Sequence, residues 1–160
     1  MKKISLFLIF LTYVLFSFTH TVKAQTITEE QKEMIEEISA SFGLDEEMIT
    51  RMIETESSFK EDAVSTAGCI GLMQIDPQWH QDRLAKYEYQ TADLYDAYAN
   101  IVIGCDYLAE LSVKHKDMGF ALMVYNQGYK SAKKTLERYG YSSYAKRILY
   151  GEEREKKAWQ

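Results

Sequence analysis

The chain has 160 residues, 46% hydrophobic and 27% charged, which is one domain's worth with enough apolar content for an ordinary core and excludes a disordered protein. Its net charge of −5 makes nucleic acid and anionic membrane surfaces poor partners, whereas a neutral sugar polymer meets no such objection. No internal repeat or low-complexity segment is visible.

The N-terminal segment stands apart. Lys2 and Lys3 precede an apolar run from Ile4 to Phe18, and Val22-Lys23-Ala24 then offers small residues to a signal peptidase. The run is shorter than the ~20 residues a spanning helix needs. Residues 1–24 are therefore expected to be a secretory signal cleaved after Ala24, with an uncleaved anchor as the alternative. Cleavage removes three lysines and no acid, moving the net charge from −5 to −8. What remains is expected to be one domain over residues 25–150 and a charged tail over 151–160, secreted to the cell envelope.

In chain order, Thr28 and Gln31 form a capping-box start, and Met34, Ile35 and Ile38 give helical spacing. Gly43 closes that helix and Asp45 opens a second, with acids in its first turn. Asp76-Pro77 reads as a cap followed by proline at the first helical position. Asp93 to about Lys116 is a long helix, with Ala97, Ile101, Tyr107, Leu108 and Leu111 among its expected core residues. Gly119 to Gln127 is another, stopped by Gly128, and two short helices follow, separated by Gly140. No pair of alternating runs is long enough for a sheet. The expected class is all-α.

The second helix carries an oddity. Ile49, Met52, Ile53 and Glu56 stand at i, i+3, i+4 and i+7, so an acid takes the last place on an apolar stripe while Glu54 points elsewhere. Burial and the negative end of the helix dipole would both raise the affinity of Glu56 for its proton, as a general acid requires. The plainer alternative is an acid at a frayed end, turned to water. Two later segments are equally open. Gly68 and Gly71 with Gln74 can bring backbone and an amide to a ligand, or simply turn the chain into a short core helix. Tyr125-Asn126-Gln127-Gly128 is either part of a site or an ordinary helix ending. Cys69 and Cys105 either pair outside the cytoplasm or stay as two buried thiols. His80 and His115 lack metal-ligand spacing and there is no CxxC pair, so no metal and no cofactor is expected. Trp79 and His80 read as core and surface residues of the helix after Pro77, with Trp79 also able to face a sugar.

Taken in order, five pieces resemble the catalytic domain of soluble lytic transglycosylases, relatives of goose-type lysozyme. They are Ile53 to Phe59 around Glu56-Ser57, Gly68 to Pro77 with Gly71-Leu72-Met73-Gln74-Ile75, Asn100-Ile101 with Gly104, Tyr107 and Leu108, Ala121-Leu122 with Tyr125-Asn126 and Gly128, and Tyr144-Ala145. The resemblance covers residues 30 to 150. It implies a lysozyme-like helical domain with a groove for peptidoglycan glycan strands. Glu56 resembles the catalytic acid. Ser65, Gly71, Met73 and Gln74 resemble the loop lining the groove, Tyr125 the tyrosine near the acid, Asn126 its supporting neighbour and Tyr144 a second groove tyrosine. Asn100 looks structural. Cys69 stands where the family usually has alanine, which fits a bridge to Cys105, and Gln127 also replaces an alanine.

The chemistry so implied uses one acid for cleavage between N-acetylmuramic acid and N-acetylglucosamine, leaving a 1,6-anhydromuramyl end, with Tyr125 and Gln74 positioning the muramyl acetamido group. A muramidase using water and a second acid, Asp62 or Asp76, is the alternative enzyme. A non-catalytic wall-binding protein is the alternative outside enzymes. Secretion or conjugation machinery of the envelope is a candidate partner, and the chain is expected to be a monomer.

Overall fold

The computed structural model describes residues 26–157, with side chains to Gly151. The expected signal over residues 1–24 lies outside the described residues. Among the described residues there are six α-helices and one 3-10 helix: α1 Glu29–Ser41, α2 Glu46–Ser57, α3 Gln81–Lys86, the 3-10 helix Thr91–Tyr95, α4 Ala97–His115, α5 Met118–Tyr139 and α6 Ser143–Lys157. No strand occurs among the described residues, only the isolated bridges Val64 to Ile70 and Ile70 to Ile75. The all-α expectation holds.

The helix starts follow local chemistry. The hydroxyl of Thr28 accepts from the Gln31 amide at 3.1 Å, and the Gln31 side chain returns the bond to the Thr28 N–H at 3.1 Å. Asp45 caps α2 through the Met48 N–H at 2.7 Å. Helix α5 is interrupted at Gly128 (φ 74°, ψ 158°), as the expected stop requires. The long helix expected from Asp93 is two elements instead. Asp93 accepts from the Gln90 N–H at 2.7 Å within the 3-10 helix, and Asp96 caps α4 through the Ala99 N–H at 2.9 Å. Two capping acids three residues apart start two helices, which a single apolar pattern does not separate.

Helix α4 runs through the centre. It packs against α1, α5 and the 3-10 helix, while α6 lies across α2 and α5. Asn100, Ile101, Ile103, Cys105 and Leu108 are all buried, so α4 is covered on most of its faces. The docking of α6 bears directly on Glu56. The Arg51 Nε of α2 donates to the Ile148 carbonyl at 2.6 Å, and Ala145 and Ile148 are fully buried. These contacts hold the first turns of α6 against α2.

Candidate active site

Helix α2 presents Glu56 as its pattern demands. Ile49, Met52 and Ile53 are fully buried, Glu54 is exposed, and Glu56 lies half-buried one turn further on. Ser58 (φ 53°) and Phe59 (φ 62°) then take left-handed conformations, which end the helix within two residues of the carboxyl. Such conformations cost a non-glycine residue on the order of 1 kcal/mol each, and here buried Phe59 anchors the turn. The Tyr144 hydroxyl of α6 donates to Glu56 Oε1 at 2.5 Å. Burial holds the Glu56 carboxyl above its ordinary range, and the Tyr144 hydrogen bond opposes that rise without cancelling it. Burial and the Glu56 charge together push the Tyr144 phenol well above its usual value, so it stays a donor.

The loop from Ser65 to Ile75 forms the facing wall. Its frame is Asn100 of α4, which is 1% exposed. The Asn100 Oδ1 accepts from the Met73 N–H at 2.8 Å, and its Nδ2 donates to the carbonyls of Ile70 at 2.9 Å and Leu94 at 2.8 Å. The structural role expected for Asn100 is the one it has. Gly71 (φ 78°) crosses Asn100 so closely that a Cβ would meet its Nδ2 at 2.1 Å, and a Cβ on Gly104 would meet the Met73 sulfur at 2.4 Å. Both glycines let the loop seat on α4. Gln74 (φ 50°) is held in the left-handed region by bonds from its Nε2 to the carbonyls of Gly71 at 3.0 Å and Ala63 at 3.4 Å.

Between α2, this loop, α4 and α5 lies a groove of about 760 Å³. Of the residues expected on it, Glu56, Ser65, Gln74, Tyr125 and Asn126 line it, and so does Cys69. Gly71 and Met73 do not: both are buried behind the wall, where Met73 fills the space over Gly104. Tyr125 stands near the acid as expected: it lines the groove with Glu56, burial and then the Glu56 charge push its phenol well above the usual value, and it donates to the Met73 carbonyl at 2.9 Å. Tyr144, expected on the groove, is not in its lining and instead touches Glu56 from α6. The Gln74 amide is likewise spent on backbone carbonyls, so its Oε1 is what remains for a ligand. Cys69 and Cys105 are both free thiols, and the bridge is not formed. They occupy different layers, Cys69 on the groove wall and Cys105 inside the core, where burial pushes its thiol up to about 12.

The other end of the groove carries residues that no sequence motif singles out as a group: Arg83, Tyr107 and Glu110, with His80 and Trp79. The Asp76-Pro77 pair opens no helix. Asp76 Oδ1 accepts from the Gln78 N–H at 2.9 Å, making a turn, and α3 starts only at Gln81. Trp79 is consequently 82% exposed rather than a core residue. Arg83 pairs with Asp106 and with Glu110 at 2.5 Å, and its guanidinium lies 5.3 Å from the Tyr107 ring centre. Tyr107 in turn meets His80 at 4.6 Å and Tyr125 at 5.1 Å between ring centres. An apolar period in the sequence of α4 marks Tyr107 as core and gives no sign of these ion pairs.

The fold defines the class: a lysozyme-like helical domain open along one groove. It is shared with an inactive variant of the lytic transglycosylase Slt from Pseudomonas aeruginosa, at TM-score 0.61 and 24% identity over 67% of this chain and 18% of that one. It is shared equally with the 70 kDa soluble lytic transglycosylase of Escherichia coli, at TM-score 0.59 and 22% identity over 66% and 18%. The chain belongs to the Transglycosylase SLT domain family, whose model matches residues 33–148. Among curated relatives, the membrane-bound lytic murein transglycosylase F of Desulfosudis oleivorans is 35% identical over 60% of this chain and 21% of its own length. The membrane-bound lytic murein transglycosylase C of Haemophilus influenzae is 36% identical over 52% of this chain and 25% of its own length. The chain thus matches about a quarter or less of those relatives.

Proposed function

We propose that this groove cleaves peptidoglycan glycan strands at the β-1,4 bond between N-acetylmuramic acid and N-acetylglucosamine, with Glu56 as the single acid and base, at the cell envelope. The observation that carries the reading is a half-buried carboxyl on the wall of a groove, held above its ordinary range and oriented by one phenol. Membership of the family supports the same substrate.

In this scheme protonated Glu56 gives its proton to the bridging oxygen as the C1–O bond breaks, releasing the N-acetylglucosamine hydroxyl. The muramyl acetamido oxygen stabilises the cationic anomeric carbon. Ionised Glu56 then takes the proton of the muramyl C6 hydroxyl, whose oxygen bonds to C1. Glu56 ends protonated, no water is consumed, and the product carries a 1,6-anhydro end. Tyr144 donates to Oε1 throughout, which leaves Oε2 to carry the proton. Gln74 Nε2 already donates to backbone carbonyls, so in this scheme Gln74 acts through Oε1, which accepts the acetamido N–H.

A hydrolytic route has one observation in its favour: Asp76 lines the same groove, whereas Asp62 is exposed outside that lining. Mass spectrometry of peptidoglycan digested by the wild type and by Glu56→Gln separates the readings. The one-acid route gives fragments one water lighter than reducing ends, and none from Glu56→Gln. Reducing ends alone would assign the hydrolytic route, and an unchanged wall phenotype of Glu56→Gln in cells would assign a binding protein.

A further inference from the structure

Trp79 is the odd residue of the groove. It lines the cavity and yet is 82% exposed, so the largest apolar side chain of the wall packs on nothing that hides it. Its backbone is not loose. Pro77 fixes the turn, Gln78 N–H bonds Asp76 Oδ1 at 2.9 Å, Trp79 N–H bonds the Asp76 carbonyl at 3.2 Å, and the Gln81 amide clasps the Pro77 carbonyl at 2.6 Å. A rigid turn therefore holds an indole in the mouth of the groove at the expense of its own burial.

The chemistry around it narrows the ligand. Asp76 and Glu110 stand on this part of the wall, and Arg83, the cation there, is already paired with Glu110 and Asp106. Such a lining repels carboxylates and accepts hydroxyl donors. Burial first, and the Arg83 charge second, hold His80 below its ordinary value, so it meets a ligand as a neutral imidazole able to donate or accept. A flat apolar face beside neutral and anionic hydrogen-bonding groups matches a sugar ring, whose C–H face is apolar and whose rim is hydroxyls.

We infer that Trp79 is a stacking platform for a neutral N-acetylglucosamine ring of the glycan strand, in a subsite completed by Asp76, His80 and Glu110. The inference rests on the groove being a glycan site. It adds a residue that sets affinity for the strand and takes no part in bond cleavage.

The test uses the full chain with Glu56→Gln, so that ligand is not consumed, and Trp159→Phe, so that Trp79 is the only indole. Chitotetraose is titrated while Trp79 emission and binding heat are followed. A saturable shift to shorter wavelength is expected. Trp79→Ala should weaken binding by about tenfold, and Trp79→Phe should restore it to within about threefold. Heat without an emission change, equal affinity in Trp79→Ala, or no binding at all would overturn the platform. A shift produced by muramyl dipeptide but not by chitotetraose would overturn the neutral ring. Peptidoglycan cleavage by Glu56→Gln would sink the catalytic reading and leave the platform to its own binding data.

Discussion

Two carboxyl groups are withdrawn from water, Glu56 on the groove and Asp106 outside its lining, beside Arg83. Glu56 meets a neutral phenol, Tyr144. Asp106, only 8% exposed, meets the Arg83 guanidinium, the Lys86 ammonium at 2.7 Å and the Tyr87 hydroxyl at 2.9 Å. Burial alone does not make an acid. A buried carboxylate supplied with cations keeps its charge and ties elements together, here α3 to α4. One given only a phenol keeps most of the proton affinity that burial confers, because the single hydrogen bond opposes that rise without cancelling it. That is the property acid catalysis needs.

The largest effect expected from this contrast is at Glu56. Glu56→Gln should lower turnover of peptidoglycan by about 10³-fold or more while leaving the circular dichroism unchanged. Asp106→Asn should do the reverse. It leaves Arg83 and Lys86 without their shared anion, so unfolding in urea should show a loss of about 2–3 kcal/mol, with turnover per folded molecule within about threefold of wild type. Large activity losses at Asp106 with full stability would break the distinction between the two carboxyl groups.

Tyr144→Phe sharpens it. Losing the oriented donor should cost about tenfold or more in kcat, since small misplacements of reacting groups are expensive. The Tyr144 bond also lowers the proton affinity of Glu56, so its removal should move the alkaline fall of kcat/KM to higher pH. A purely structural role for Tyr144 would leave that limb in place.

The smallest effect is on stability. The folded Glu56 carboxyl has a raised pKa, so the wild type has its full stability below the ordinary carboxylate range and loses some as pH rises through the raised value. Glu56→Gln escapes that loss. Its Tm should exceed that of wild type near neutral pH, with the difference shrinking as the pH falls.

The helical order, the Glu56 stripe and the Asn100 support are legible in the sequence because each is a matter of local period or motif. Contacts between distant segments are not. Tyr144 reaches Glu56 across 88 residues, and nothing in the spacing says which tyrosine does so. The resemblance marks the loop from Ser65 to Gln74 but not the direction of each side chain, so Gly71 and Met73 are expected in the groove and lie behind it. Asp76-Pro77 departs from expectation for a different reason: the same two residues that start helices also make turns, and the core decides between them. Trp79 changes from a core residue to an exposed one with that choice.

The direct test is the titration of Glu56 itself. Carbon NMR of the side-chain carboxyl, assigned through Glu56→Gln, should give a midpoint above the ordinary 4.5, moving further up in Tyr144→Phe and coinciding with the alkaline limb of kcat/KM. A midpoint at or below 4.5, or one that Tyr144→Phe leaves unmoved, would contradict the account.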